Sequence, residues 1–252
     1  MMHIHNPLGQ PIGHAVSGWT PPAPPARASL AGRFCQVAPL EIERHAEDLY
    51  AAYAADADQR VWTYLPYGPF DNVAGYIDWM RRTCGGDDPL FAAIIDHACA
   101  KAVGVASYLR IQPAAGSIEV GHVNFSPRLQ RTPIATEAMY LMMRHAFALG
   151  YRRYEWKCDA LNAPSRAAAQ RLGFSFEGVF RQAAVYKGRN RDTAWYAVID
   201  QEWPALEAAF QQWLDPSNFD ERGQQRVRLS TLTAPILVQL GSSINILSDT
   251  QR

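Results

Sequence analysis

The nine residues 117–125, SIEVGHVNF, change face halfway along. Ile118 and Val120 are apolar on one parity, whereas Val123 and Phe125 are apolar on the other. Strand side chains alternate between the two faces of a sheet, so a one-residue slip moves every following side chain to the opposite face. Gly121 lies at the break, and glycine within a strand often marks a bulge. The pattern predicts a β-bulge near Gly121-His122.

The surrounding periodicities fix the order of elements. Residues 30–38 read as a strand ended by Pro39, and 40–54 as a helix with Leu40, Ala46, Leu49, Tyr50 and Tyr53 inward. A second helix is expected over 71–83, capped by Asp71. Two β-rich runs, 91–96 and 102–111, precede the bulged strand. The longest amphipathic pattern spans 133–149, with Ile134, Ala138, Leu141, Met142, His145 and Leu149 on one stripe and Gly150 as its stop. A strand over 152–159, a short helix from Asn162 to Gly173 and strands over 175–186 and 193–199 follow; the last two flank the polar turn KGRNRD. A final helix runs from Pro204 to Leu214.

The order is β-α-α-β-β-β-α-β-α-β-β-α. Strands without intervening helices imply antiparallel pairing, and the later β-α-β stretch implies one parallel step. The expected fold is α/β (α+β): one mixed, mostly antiparallel sheet with helices on both faces. Residues 1–28, with TPPAPP, read as a flexible Pro-rich segment, 29–214 as the domain, and 215–252 as a C-terminal extension of unassigned role. Within that extension 220–232 has helical potential, and 234–247 is apolar enough to pack on the domain or a partner.

Charge excludes some partners. Lys+Arg and Asp+Glu are 24 each, which gives no case for nucleic acid or a membrane surface. No apolar run is long enough to span a bilayer, and the first thirty residues lack a signal-peptide core. Four widely spaced cysteines without a CxxC motif read as reduced thiols of a cytoplasmic protein. His3, His5 and His14 read as solvated tail residues, and no metal is expected.

The sequence lacks GxxxxGK[ST], GxGxxG, GxSxG and HExxH. Two strand-to-helix junctions carry the information instead: Gln130-Arg131-Thr132-Pro133-Ile134-Ala135 before the long helix, and Asn162-Ala163-Pro164-Ser165 before the short one. The first N–H groups of a helix lack internal partners and carry the positive end of the dipole, so such a junction can hold an anion. Pro133 removes one donor but suits the first helical position, with Thr132 as N-cap.

These residues resemble the GCN5-related N-acetyltransferases, in the branch similar to the ribosomal-protein N-terminal acetyltransferases. That family's cofactor loop is Q/R-x-x-G-x-G/A; Gln130 and Ala135 match, and Pro133 stands for the first glycine. Asn162, Ser165 and Leu172-Gly173-Phe174 match the branch's N-x-x-S…LGF, and Glu177-Gly178, Arg181, Gly188, Asp192, Tyr196 and Trp203 continue it. The resemblance covers roughly 29–214. It implies a three-layer fold with about seven strands, the sheet splitting between the fourth and fifth.

The resemblance further implies acetyl-CoA as co-substrate, lying between strands 117–125 and 152–159. Phe125, Gln130, Arg131, Thr132, Ile134, Ala135 and Thr136 would contact it around the pyrophosphate, with Asn162 and Ser165 along the pantetheine arm. Glu119 would be the general base that deprotonates an amine acceptor, with His122 or a held water as alternatives. Ser165 would protonate the thiolate, since Ala169 replaces the tyrosine of many relatives. A protein N-terminus, a polyamine, an antibiotic amine and a small metabolite all remain open as acceptor, as do another acyl donor such as succinyl-CoA, a homodimer, and a non-catalytic CoA-binding or interaction module. The basic run Arg181, Lys187, Arg189 and Arg191 reads as a solvated hairpin turn, with contact to an acidic substrate or a 3′-phosphate as the alternative.

Overall fold

The computed structural model describes residues 4–241. A two-stranded ribbon, β1 (Ile4–His5) and β2 (Pro11–Ile12), precedes an eight-stranded sheet. That sheet contains β3 (Leu30–Ala31), β4 (Cys35–Pro39), β5 (Leu90–Asp96), β6 (Lys101–Gln112), β7 (Ser117–Phe125), β8 (Arg153–Asp159), β9 (Ser175–Tyr186) and β10 (Arg189–Ile199). Its spatial order is β3-β4-β5-β6-β7-β8-β10-β9. Every adjacent pair is antiparallel except β7–β8, the one parallel step. Helices α1 (Ile42–Ala54) and α2 (Val73–Thr83) pack over one face. The other face carries α3 (Pro133–Ala148), α4 (Ala163–Arg171), α5 (Trp203–Leu214) and the short α6 (Leu229–Thr233).

The bulge lies where the parity shift predicts it. Val105 opposes Asn124 and Ser107 opposes Gly121, so Ala106 alone faces both His122 and Val123. His122 absorbs the extra residue with φ +47°, a left-handed conformation uncommon outside glycine. A second irregularity follows in β6. Leu109 opposes Glu119 and Gln112 opposes Ser117, so Arg110 and Ile111 share one partner position, with Arg110 at φ +46°. The Asp88 carboxylate accepts both of their N–H groups, at 2.9 and 3.0 Å.

Several elements differ from the sequence reading, each for a tertiary reason. The run 30–38 is two strands rather than one, because the buried Glu137 carboxylate of α3 accepts the N–H groups of Arg33, Phe34 and Cys35 at 2.6–2.9 Å and folds the chain into a tight turn. A Cβ on Gly32 would strike that carboxylate. The cap of α2 is Asn72, whose side chain accepts the Gly75 N–H, rather than Asp71. The hairpin turn between β9 and β10 is Lys187-Gly188 alone, both at positive φ, so the remainder of KGRNRD belongs to β10. This two-residue, both-positive geometry matches the right-handed twist of the strands.

Helix α3 is buried almost all round from Ala135 to Met143, instead of showing one apolar stripe. Its second face is covered by α5: Tyr140 stacks on Phe210 at 5.2 Å and Phe147 on Trp203 at 5.0 Å. The chain beyond residue 214 packs back onto the domain. The expected 220–232 helix is α-helical only from Leu229 onward, as part of α6. Thr233 donates to the Arg171 carbonyl, and the Phe176 N–H reaches Gln239 at 3.0 Å. The remainder of the apolar 234–247 stretch, beyond Gly241, lies outside the described residues. At the other end Pro22 and Pro25 are buried, and Trp19 lies against Gly116 and Arg152.

The Glu137 contact is open to test. Glu137→Ala orphans three N–H donors, each worth about 1–3 kcal/mol when left unpaired. Urea unfolding should show a loss of roughly 3 kcal/mol or more at unchanged m. A loss below ~1 kcal/mol would mean that the turn holds itself.

Candidate active site

Strands β7 and β8 pair over only four residues, Ser117–Val120 against Arg153–Trp156. Past Val120 the bulge turns β7 away and the pairing stops, leaving a cleft between residues 121–125 and 157–161. Because the two strands are parallel, the helices that follow them, α3 and α4, both begin at the diverging end. Clefts at the carboxyl ends of neighbouring parallel strands are natural ligand sites.

At the α3 junction, Thr132 caps the helix. Its Oγ1 accepts the Ala135 N–H at 3.3 Å and donates to the Leu129 carbonyl at 2.6 Å. Arg131 adopts φ +61°, which reverses the chain just before the cap. Among the described residues, no backbone acceptor takes the N–H of Arg131, Thr132 or Ile134. These groups, with the exposed Arg131 side chain, fit a pyrophosphate despite the missing donor of Pro133. The Gln130 side chain turns back to the Phe125 carbonyl at 2.8 Å, tying the turn to the end of β7. Thr136 is buried, and its hydroxyl accepts from Arg171 at 3.1 Å, so its side chain is held away from the turn.

At the α4 junction, Asn162 Oδ1 accepts the Ser165 N–H at 3.1 Å, which leaves the amide Nδ2 as the available donor. Ser165 Oγ accepts Trp156 Nε1 at 3.0 Å and lies beside the buried Cys158 thiol. Ala169 is buried.

Glu119 lies in the closed part of the strand pair rather than in the cleft. It is 3% exposed, and its Oε2 is shared by Arg110 at 2.6 Å and Lys157 at 2.8 Å. Accepting a proton there would disrupt two ion pairs. His122, at the bulge itself, is half-buried, with Nδ1 3.3 Å from the Tyr67 hydroxyl. Burial, then the nearby Arg110 charge, lowers its pKa to about 4, so the ring is neutral at physiological pH.

Sequence reading missed the loop that crosses the cleft on the α1–α2 side. Tyr67 reaches His122 on β7; Tyr64 donates to the Leu161 carbonyl beyond β8 at 3.3 Å; Lys187 of the hairpin donates to the Trp62 carbonyl at 2.7 Å. Arg181, Lys187 and Arg189 are exposed, as expected of a solvated turn, while Lys187 also has this one structural partner. Asp159, buried at the end of β8, accepts the Tyr186 hydroxyl at 2.7 Å. Burial and the Asp159 carboxylate push the Tyr186 phenol up to about 12. No local pattern marks these residues, because their contacts join segments far apart in the chain.

A family model described as the acetyltransferase (GNAT) domain matches residues 37–175, more than half of the chain. The chain belongs to the GNAT acetyltransferases. A GCN5-related N-acetyltransferase of solved structure from Brucella melitensis is 45% identical, with a TM-score of 0.85 over 87% of this chain and 100% of its own. The curated but uncharacterized N-acetyltransferase YnaD of Bacillus subtilis is 24% identical over 159 residues, 62% of this chain and 91% of its own. The ribosomal-protein α-N-acetyltransferase RimL, solved with coenzyme A, shares the fold at 19% identity and TM-score 0.57, over 68% of this chain and 98% of its own. The reaction of this GNAT protein is acetyl transfer from acetyl-CoA to an amine. Among the described residues, no group of three or more His, Cys, Asp or Glu could hold a metal ion.

Two substitutions probe the anion turn. Arg131→Gly removes the guanidinium and relaxes the left-handed backbone; it should weaken CoA and leave pantetheine, which lacks the pyrophosphate, unaffected. Pro133→Gly should change CoA affinity by less than about tenfold, roughly 1.4 kcal/mol. Calorimetric titration with both ligands reads the difference, and equal weakening by Arg131→Gly would remove the turn from the site.

Proposed function

We propose that this protein acetylates a primary amine that enters the cleft from the α1–α2 side, while the nucleotide end of acetyl-CoA rests on the 130–135 turn. One observation carries this reading: a cleft opened by the His122 bulge, with the N-termini of α3 and α4 both at its mouth. Arg131, Thr132 and Ile134 would offer backbone donors to the pyrophosphate, and Asn162 Nδ2 would hold the pantetheine arm. Transfer requires a base for the ammonium, donors for the tetrahedral oxyanion and an acid for the departing thiolate.

We assign the base to His122 and move Glu119 to a structural role. His122 carries no salt bridge and faces the cleft side that the aromatic loop covers. A base with a pKa near 4 is deprotonated at every working pH, so the rate should follow the deprotonation of the acceptor itself. Ser165, at the start of α4 with its oxygen bonded by Trp156 Nε1, supplies the proton to the thiolate. RimL is named for an α-N-acetyltransferase activity on a ribosomal protein; together with the branch motifs around Asn162, this favours an exposed N-terminal amine as acceptor over a polyamine.

Two coarser expectations receive support of their own. Among the described residues no helix is long and apolar enough to cross a membrane, and all four cysteines are free thiols, which supports a cytoplasmic setting. β9 is an edge strand with Phe180 and Val185 exposed, which supports a homodimer through that edge.

Thiol release from acetyl-CoA against a panel of peptide N-termini and small amines tests the function directly; tight CoA binding without turnover of any amine would leave a binding module. His122→Asn tests the base, because asparagine tolerates the left-handed backbone at this position. It should lower kcat by roughly 10²-fold without changing CoA affinity, whereas Glu119→Gln should stay within about fivefold. In the wild type, kcat/KM for the amine should rise with pH through the acceptor's own ammonium pKa, with no limb near the ordinary histidine pKa of about 6.5. The reverse ranking of the two variants would return the base to Glu119.

A further inference from the structure

Glu119 of β7 and Glu155 of β8 are direct partners in the short parallel pairing. Both are largely buried, and like charges directly opposite one another destabilise a strand pair. Lys157 resolves the conflict. Its Nζ lies 2.8 Å from Glu119 Oε2 and 2.7 Å from Glu155 Oε2, with the side chain only 5% exposed. The same ammonium lies 3.7 Å from the ring centroid of Trp195 on β10. Lys157 follows Trp156, the last residue of β8 that pairs with β7, so it sits at the vertex of the cleft.

The rest of the network does not cross that vertex. Arg110 of β6 holds Glu119 on one side at 2.6 Å. On the other side Arg153, from β8 itself, holds Glu155 at 2.6 Å and continues to Glu177 of β9 at 2.7 Å. Among the described residues, the Lys157–Glu119 contact is the ion pair that joins β7 to β8. Each carboxylate retains its own arginine if Lys157 is removed, but the two strands lose their electrostatic bond and keep their repulsion.

We propose that Lys157 is a positioning residue that sets the gape of the cleft, and so the fit of the pantetheine arm and thioester between β7 and β8. This rests on the cleft being the acyl-CoA site. The anion turn at 130–135 lies on a separate element and is insensitive to the vertex. The signature is therefore a selective loss: affinity for the pantetheine half of CoA falls while affinity for the adenosine bisphosphate half persists.

The test compares wild type, Lys157→Met and the double variant Lys157→Met/Glu119→Gln, which lacks both the bridge and the repulsion. Calorimetry with CoA and with adenosine bisphosphate, and thermal unfolding, are read for each. Lys157→Met should bind CoA at least tenfold more weakly and adenosine bisphosphate within twofold, and the double variant should recover CoA binding to within threefold of wild type. Unchanged CoA binding in Lys157→Met, equal loss of both ligands, or no recovery in the double variant overturns the proposal. Should Lys157→Met fail to fold, Lys157→Arg retains the charge on a bulkier planar head; it should bind CoA at least fivefold more weakly with adenosine bisphosphate unchanged, and normal CoA binding overturns the proposal. Wild-type protein that binds no CoA removes the reading of the cleft itself, an outcome separate from these.

Discussion

The extra residue in β7 is the constraint on which the site depends. A regular strand would continue its pairing with β8 and close the sheet. With His122 in a left-handed conformation, Ala106 faces two residues instead of one, β7 bends, and parallel pairing stops after four positions. A non-glycine residue at positive φ costs of order 1–3 kcal/mol and persists only where its surroundings over-determine it. Here the surroundings are Phe91, whose ring lies 5.0 Å from that of His122, and Tyr67, which stacks on it and meets its Nδ1. The same bend that opens the cleft places His122 at its start, against Tyr67 and Phe91.

The cleft stays open because both of its walls are anchored elsewhere. On one side α3 is clasped between the sheet and α5, and its Glu137 reaches through to hold the β3–β4 turn. This contact fixes the helix start, and with it the turn whose N–H groups point outward. On the other side α4 is pinned by Arg171 on Thr136 and by Thr233 on the Arg171 carbonyl, so the segment after residue 214 braces the wall that carries Asn162 and Ser165. The polar groups of both helix starts therefore face a gap that packing cannot collapse.

Charge is arranged in two regimes along the same pair of strands. In the closed part, Arg110, Glu119, Lys157, Glu155, Arg153 and Glu177 alternate in sign, so that each buried carboxylate meets cations on two sides. A buried charge without such partners would be severely destabilising. In the open part, the polar groups are neutral or hydrogen-bonded: a histidine that burial holds neutral, a serine, and a tyrosine on Asp159. Fixed neutral dipoles suit a reaction that creates and discharges an oxyanion, because they favour the new charge without having to give up an ion pair first.

Local signals in the chain carried the scaffold. The parity change across Gly121 marked the bulge within one residue; Thr132-Pro133 and Asn162-Ala163-Pro164 marked the two helix starts; the β-α-β order implied the parallel step. Each is a rule about neighbours in sequence, enforced by strand alternation or by the unpaired N–H groups of a first turn. Pairings between distant segments were beyond such rules. Glu119 looked like a base because of its place on the strand, yet Arg110 and Lys157 claim its carboxylate; Asp71 looked like a cap, yet Asn72 takes the bond; α3 looked one-sided until α5 covered its other face. Sequence thus determined where the chain bends, starts and stops. Only the tertiary structure decided which charges neutralise each other and which polar groups are left facing the cleft, because Coulombic and packing energies depend on distances in space that the order of residues does not contain.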